Sequence, residues 1–292
     1  MVCARTVPLS GSRLNYRHAF HAGNFADLVK HAGLLRLLDA LMADGAPLTI
    51  LDTHAGRGLY DLGGDEARKS GEAAAGIVQL MAADGAPSEF APLVAEVGRL
   101  NGGGPVRRYP GSPLLIAARL RPQDRYVACE LRPDEHEALR VALRGAPGVR
   151  TLCADGYAAA VAEAPARGRV LALIDPPFEK PDDYDRIVET LAALRARNGA
   201  AEALVWLPVK DLQTLDAFLG DLEDELGAPM LVAEARVRPL TDPMKMNGCA
   251  LVLLGDSPRI EALQAPLAAI CGWVAETLGS GGAGRVYRLP PQ

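Results

Sequence analysis

The 292-residue chain contains no C-x-x-C pair, no Gly-Lys-Ser/Thr phosphate loop, no excess of positive charge, and no internal repeat or low-complexity tract. Each absence excludes something. The five cysteines (Cys3, Cys129, Cys153, Cys249 and Cys271) stand alone, so neither a zinc ribbon nor a redox dithiol is supported. They are expected to be buried thiols in a reducing, cytoplasmic compartment. No apolar run approaches about 18 residues and no signal-peptide core opens the chain, which makes membrane and secreted readings poor. With 31 basic and 36 acidic residues the net charge is −5, which argues against a protein held on nucleic acid by bulk charge. What remains is ordinary globular composition in a chain long enough to bury a full core without staples.

The pattern along the chain is α/β. Residues 1–13 have no periodicity and are expected to form a flexible extension. From Asn24, a fair N-cap, apolar residues recur at helical spacing through Phe25, Leu28, Val29, Ala32, Leu35, Leu38 and Met42. Seven apolar runs then read as strands: 48–52, 126–131, 149–155, 170–175, 203–208, 231–237 and 249–254. Helix-length segments separate most of them, which means a mostly parallel sheet covered on both faces. Only the short Pro239–Gly248 link joins the last two, too short for a crossover helix, so that pair is antiparallel. Seven strands with an antiparallel last strand is the layout of the Rossmann-like class I methyltransferases. The 78 positions from Asp52 to Glu130 are out of scale, since one crossover needs about 20 to 30. The surplus, 59–111, reads as a small inserted helical subdomain with helical pieces at 72–83 and 88–100. The Rossmann-like domain is then 14–58 together with 112–292.

Ligands of open α/β sheets bind beyond the carboxyl ends of the strands. Three acids stand at such ends: Asp52, followed by a loop with Gly56 and Gly58, then Glu130, then Asp155 with Gly156. Gly56 lets backbone approach a ligand closely. Glu130 can accept both hydroxyls of a ribose, and Asp155 is placed to reach an adenine edge. Together they outline a nucleoside pocket. A fourth strand runs into Asp175-Pro176-Pro177-Phe178. Its prolines remove two N–H donors and leave carbonyls free. The Asp175 carboxylate and Pro176 carbonyl therefore form an acceptor cradle beside the flat ring of Phe178. Such a cradle suits the amino group of a base turned out of its stack. The matching electrophile is a methyl group on a sulfonium, which points to N6-adenine, or else N4-cytosine, methylation by S-adenosylmethionine. Arg17, His18, His21, Lys30 and His31 crowd into one short segment opposite a single acid, Asp27. That crowding reads as packed histidines near a cofactor or as a basic face for phosphates; H-x-x-H alone is a weak metal pattern, and no metal is expected.

These residues resemble the RlmJ family of bacterial 23S ribosomal RNA (adenine-N6)-methyltransferases. The resemblance runs from about Leu14 to the C-terminus. It is carried by Tyr16-Arg17-His18-Ala19-Phe20-His21-Ala22-Gly23-Asn24, Asp27 and Lys30-His31, Asp52-Thr53-His54-Ala55-Gly56, Tyr109-Pro110-Gly111-Ser112-Pro113 and Asp175-Pro176-Pro177-Phe178. It implies cofactor contacts at His31, His54, Ser112, Glu130, Asp155, Gly156 and Asp175, with Asp175 as catalytic acceptor and Tyr16 as an RNA contact. It also implies a helical subdomain in the first loop. Ser112-Pro113 before an apolar helix reads as an N-cap with proline at the first turn. Phe178 stands where relatives often carry tyrosine, a change that keeps stacking. The expectation is a monomer acting on large-subunit ribosomal RNA, with no membrane and no obligate protein partner. Arg17, His18 and Lys30 would supply a local basic edge despite the acidic average. A DNA adenine methyltransferase, a non-catalytic RNA-binding protein and a metal hydrolase are the rival readings.

Overall fold

The computed structural model describes residues 18–290. The expected extension 1–13, Cys3, Tyr16 and Arg17 lie outside the described residues.

The first long helix, Phe25–Met42, is capped by the Asn24 side chain, which accepts from the Asp27 amide at 2.9 Å. Its sequence is apolar nearly all round and most of it is buried, as such a pattern requires. Ten strands follow among the described residues: β1 (Leu48–Asp52), β2 (Leu59–Asp61), β3 (Arg108–Pro110), β4 (Arg125–Cys129), β5 (Val149–Leu152), β6 (Arg169–Ile174), β7 (Ala201–Val209), β8 (Met230–Arg236), β9 (Gly248–Leu254) and β10 (Ala283–Leu289). Eight form one sheet in the order β5-β4-β1-β6-β7-β9-β8-β10. Strands β5, β4, β1, β6 and β7 are parallel, and β9 lies antiparallel between β7 and β8. This is the Rossmann-like layout read from the sequence, with one correction. The antiparallel pair is as expected, with β9 seated between β7 and β8. An eighth strand, β10, pairs antiparallel along the whole of β8. Its sequence, AGRVYRL, carries two arginines and faces partly into solvent, so it shows no buried apolar run.

Apolar residues pack on both faces of the sheet. One cluster holds the Phe25–Met42 helix, and the other holds the helices Gly156–Glu163, Asp183–Arg197 and Leu212–Leu226. The strand order reverses at β1 and β6, which opens the ligand crevice at their carboxyl ends.

Between β2 and β3, which pair antiparallel, lie the helices Asp65–Ser70, Glu72–Ala75, Ile77–Ala82 and Ala91–Leu100. The expected helical piece 72–83 is therefore broken at Gly76. There the backbone packs against Gly23: a Cβ on Gly76 would sit 2.2 Å from the Gly23 carbonyl, and that carbonyl accepts from the Ile77 amide at 2.8 Å. Ile77, Leu80, Phe90, Leu93 and Val97 join the same apolar cluster as the Phe25–Met42 helix. Among the cysteines, Cys129, Cys249 and Cys271 are buried, but Cys153 is exposed, because it follows the end of the edge strand β5.

Ile77 is the apolar anchor of this segment. Ile77→Ala should lower the unfolding free energy by about 2–5 kcal/mol in urea titration. A loss below about 0.5 kcal/mol, the range of ordinary surface substitutions, would show that the segment is not anchored there.

Candidate active site

A cavity of about 390 Å³ opens at the carboxyl ends of the parallel strands. His18, Lys30, His31, His54, Gly56, Ser112, Glu130, Asp155, Gly156, Asp175, Pro176 and Phe178 all line it. Residues scattered over 160 positions of sequence thus share one wall.

The wall is organised by charge. Lys30 lies one turn into the Phe25–Met42 helix and is only 5% exposed. Its Nζ donates to Asp175 Oδ2 at 2.6 Å and lies 3.0 Å from Asp27 Oδ1. Burial alone would lower the lysine pKa, but the two carboxylates outweigh it and hold the ammonium well above its ordinary value. Asp27 is 2% exposed and also accepts from the Gly23 amide at 2.9 Å, while His18 Nε2 lies 3.1 Å from it. Burial pushes Asp27 upward, but Lys30 and His18 prevail and keep it ionised. Lys30 was read as a phosphate contact. Its ammonium is instead committed to two carboxylates.

The histidines separate by environment. Burial drops His31 and His54 to about 3, so both are neutral at physiological pH. His31 Nδ1 lies 2.7 Å from the Tyr109 hydroxyl, and its Nε2 is buried without a protein partner. His54 Nδ1 lies 2.7 Å from the Thr53 hydroxyl, and its ring meets Tyr157 edge-on. His21 stays on the wall and pairs with Glu72 at 2.9 Å, and Asn24 donates to the same carboxylate at 2.8 Å.

The carboxylates at the strand ends differ too. Asp52 is buried and accepts from the Tyr126 hydroxyl at 2.8 Å and from the Ser112 hydroxyl at 3.3 Å. Burial nevertheless pushes it up to about 7. Ser112 was read as an N-cap, but Gly111 holds that position, and the hydroxyl turns to Asp52 because a buried carboxylate needs donors. Glu130 accepts from the backbone amides of Gly56 at 3.0 Å and Arg132 at 2.8 Å. Asp155 caps the Gly156–Glu163 helix through the Tyr157 amide at 3.1 Å, and Arg186 donates to its other oxygen at 2.6 Å. Gly156 touches the loop after β1 so closely that a Cβ would stand 1.8 Å from the Thr53 carbonyl.

Across the cavity, Asp175-Pro176-Pro177-Phe178 ends β6. Phe178 has φ +51°, uncommon for a side chain of that size. The ring is braced by Tyr184 at 5.0 Å and Trp206 at 5.9 Å between centroids. The β8–β9 loop forms the neighbouring rim and brings Met246 into the cavity wall. The sequence singles out Asp27, the one acid of a cationic segment and part of the family motif, but not its role as partner of Lys30; Glu72, Trp206, Arg186 and Lys210 give no sequence signal.

A family model described as "Ribosomal RNA large subunit methyltransferase D, RlmJ" matches residues 45–288. The chain belongs to the RlmJ family. Among curated relatives, "Ribosomal RNA large subunit methyltransferase J" of Escherichia coli is 34% identical over 249 residues, covering 85% of this chain and 89% of its own. The Haemophilus influenzae protein of the same name is 35% identical over 250 residues, with the same shares covered. The crystal structure of protein LPL1258 from Legionella pneumophila matches with a TM-score of 0.81 at 27% identity, covering 91% of this chain and 97% of that one. The family resemblance carried by the sequence motifs is therefore the family to which the chain belongs.

One pair makes the site's pH response testable. The Glu72 hydrogen bond raises His21 above 6.5, whereas Glu72 lies below 4.5 because its His21 and Asn24 hydrogen bonds outweigh burial. The histidine contribution is complete below 6.5 and is lost as pH rises through the folded value; the glutamate contribution is complete above 4.5 and is lost on acidification. Glu72→Gln should therefore depress the melting temperature more at roughly pH 5.5 than at roughly pH 8.5. Equal deficits at both pH values would exclude a charged pair.

Proposed function

We propose that the protein transfers a methyl group from S-adenosylmethionine to N6 of one adenine in 23S ribosomal RNA. The observation that carries this reading is the acceptor cradle of Asp175 and Pro176 at the end of β6. Lys30 orders it from behind, and Phe178 stands beside it. The names of the relatives support the substrate class.

The cavity residues suit the cofactor. Among the described residues Glu130 accepts from two backbone amides and is raised by burial, so a pair of ribose hydroxyls would supply further donors. The buried Nε2 of His31 has no protein partner and offers a polar contact. Asp175 lines the cavity and is the carboxylate that would face a sulfonium, while the buried Asp52 lies behind the wall, tied to Ser112, and is pushed up to about 7 by burial. His31, His54, Gly56, Ser112, Glu130, Asp155 and Gly156 would hold the group, although Asp155 is already engaged by the helix cap and Arg186. When bound, it supplies an electrophilic methyl on a positively charged sulfur.

The protein's own part is to make a poor nucleophile usable. An adenine amine delocalises its lone pair into the ring. Lys30 occupies Asp175 Oδ2, which leaves Oδ1 for one amine hydrogen and the Pro176 carbonyl for the other. Two acceptors draw the nitrogen toward a pyramidal shape and release the lone pair. Phe178, braced by Tyr184 and Trp206, gives the base a fixed face, so the amine arrives aligned rather than by chance. After methylation the nitrogen carries an extra proton, and Asp175 Oδ1 is the base beside it. His18, on the cavity wall, would contact the RNA.

Incubation with protein-free 23S RNA and labelled cofactor, followed by mass-spectrometric mapping, should yield N6-methyladenosine at one position. Asp175→Asn should lower the turnover rate by about 10² to 10⁴-fold, the range seen when a positioned proton acceptor is lost. Methylation of duplex DNA alone, or an unchanged rate in the variant, would overturn the reading.

A further inference from the structure

The β8–β9 loop takes no part in the chemistry above, yet it carries the most exposed large apolar side chain among the described residues, Met244, at 88%. A lone exposed methionine needs no explanation by itself. Its support and surroundings do. The Met244 amide donates to Asp242 Oδ1 at 3.0 Å, and the Lys245 amide donates to the Asp242 carbonyl at 3.2 Å, which closes a tight turn. Asn247 is fully buried and donates from Nδ2 to the carbonyls of both Asp242 and Lys210 at 2.8 Å, pinning the turn to the end of β7. The methionine therefore stands on a hydrogen-bonded support.

That support belongs to the cavity rim. Met246, two residues on, lines the cavity, as do Lys210 and Lys180. Both lysines are exposed and make no ion pair among the described residues. An apolar tip on a turn tied to the Lys210 backbone, with two cations on the same cavity rim, matches the needs of a strand losing one base from its stack. The gap wants an apolar filler and the flanking phosphates want cations. Methionine suits the gap because it is long, unbranched and polarizable.

We propose that Met244 is a wedge that fills the RNA stack where the target adenine turns into the cavity, with Lys210 and Lys180 holding the flanking phosphates. The proposal rests on the RNA-methylating reading above. Met244 is a positioning residue: it acts on the substrate strand and touches none of the reacting atoms.

The test compares wild type, Met244→Ala and Met244→Leu on two RNAs that carry the mapped adenine, one within a base-paired helix and one a short single strand. On the helical RNA, Met244→Ala should lose about tenfold in kcat/KM, as expected for the loss of one stacking contact, and Met244→Leu should recover most of it. On the single strand, where nothing must be unstacked, the deficit should nearly vanish. A helical RNA with 2-aminopurine at the target position should brighten on binding wild type and much less on binding Met244→Ala. Cofactor affinity should be equal in all three proteins. Unchanged kcat/KM and fluorescence in Met244→Ala would overturn the wedge, and so would an equal deficit on both RNAs, which would mark a purely structural loop. Failure of the wild-type protein to methylate either RNA or 23S RNA would overturn the underlying reading, and the wedge with it.

Discussion

Lys30 holds the site together. An ammonium only 5% exposed cannot be sustained without partners, and here two carboxylates supply them, Asp27 from its own helix and Asp175 from the end of β6. A buried ion pair gains little over apolar packing, but breaking one leaves an uncompensated charge that costs about 3–5 kcal/mol. The chain Asp27–Lys30–Asp175 therefore fixes the first helix against the sheet and fixes Asp175 within the cavity. It also decides which oxygen of Asp175 remains for a substrate.

The surrounding groups follow from that choice. Asn24 starts the helix at the position that brings Asp27 and Lys30 onto one face, a spacing of three residues. The Gly23 amide and His18 complete the coordination of Asp27, and Glu72 fastens the turn containing His21 and Asn24 to the 59–111 segment. Two histidines kept neutral by burial, His31 and His54, add polarity to the cavity without adding charge. Asp52 is raised to about 7 by burial, with the Asp175 charge adding to the rise.

Much of this was legible in the sequence, for physical reasons. Strands buried on both faces are apolar throughout, so β1, β4, β6, β7 and β9 announce themselves, and the acids at the ends of β1, β4 and β6 stand out against that background. The short Pro239–Gly248 link gave away the antiparallel pair. The partnership of Lys30 with Asp175 spans 145 positions and leaves no local trace, so Lys30 read as a surface cation. Glu72 is an ordinary helix residue until Gly76 packs on Gly23. Ser112 followed a capping pattern but serves the buried Asp52 instead. Strand β10 takes its register from β8 rather than from alternation of its own. The net charge of −5 fell short for the same reason: several of the acids, Asp27, Asp52, Glu130 and Asp175 among them, line or underlie the cavity, and a sum over the chain says nothing of the rim.

The central claim is that Lys30 and Asp175 act as one unit. A double-mutant cycle on the single-turnover rate of RNA methylation, using Lys30→Met, Asp175→Asn and the combined variant, tests it most directly. If the pair is a unit, each single change should cost nearly as much as both together. Losses that multiply, so that the double variant is slower by the product of the two single effects, would show that the lysine and the aspartate work independently.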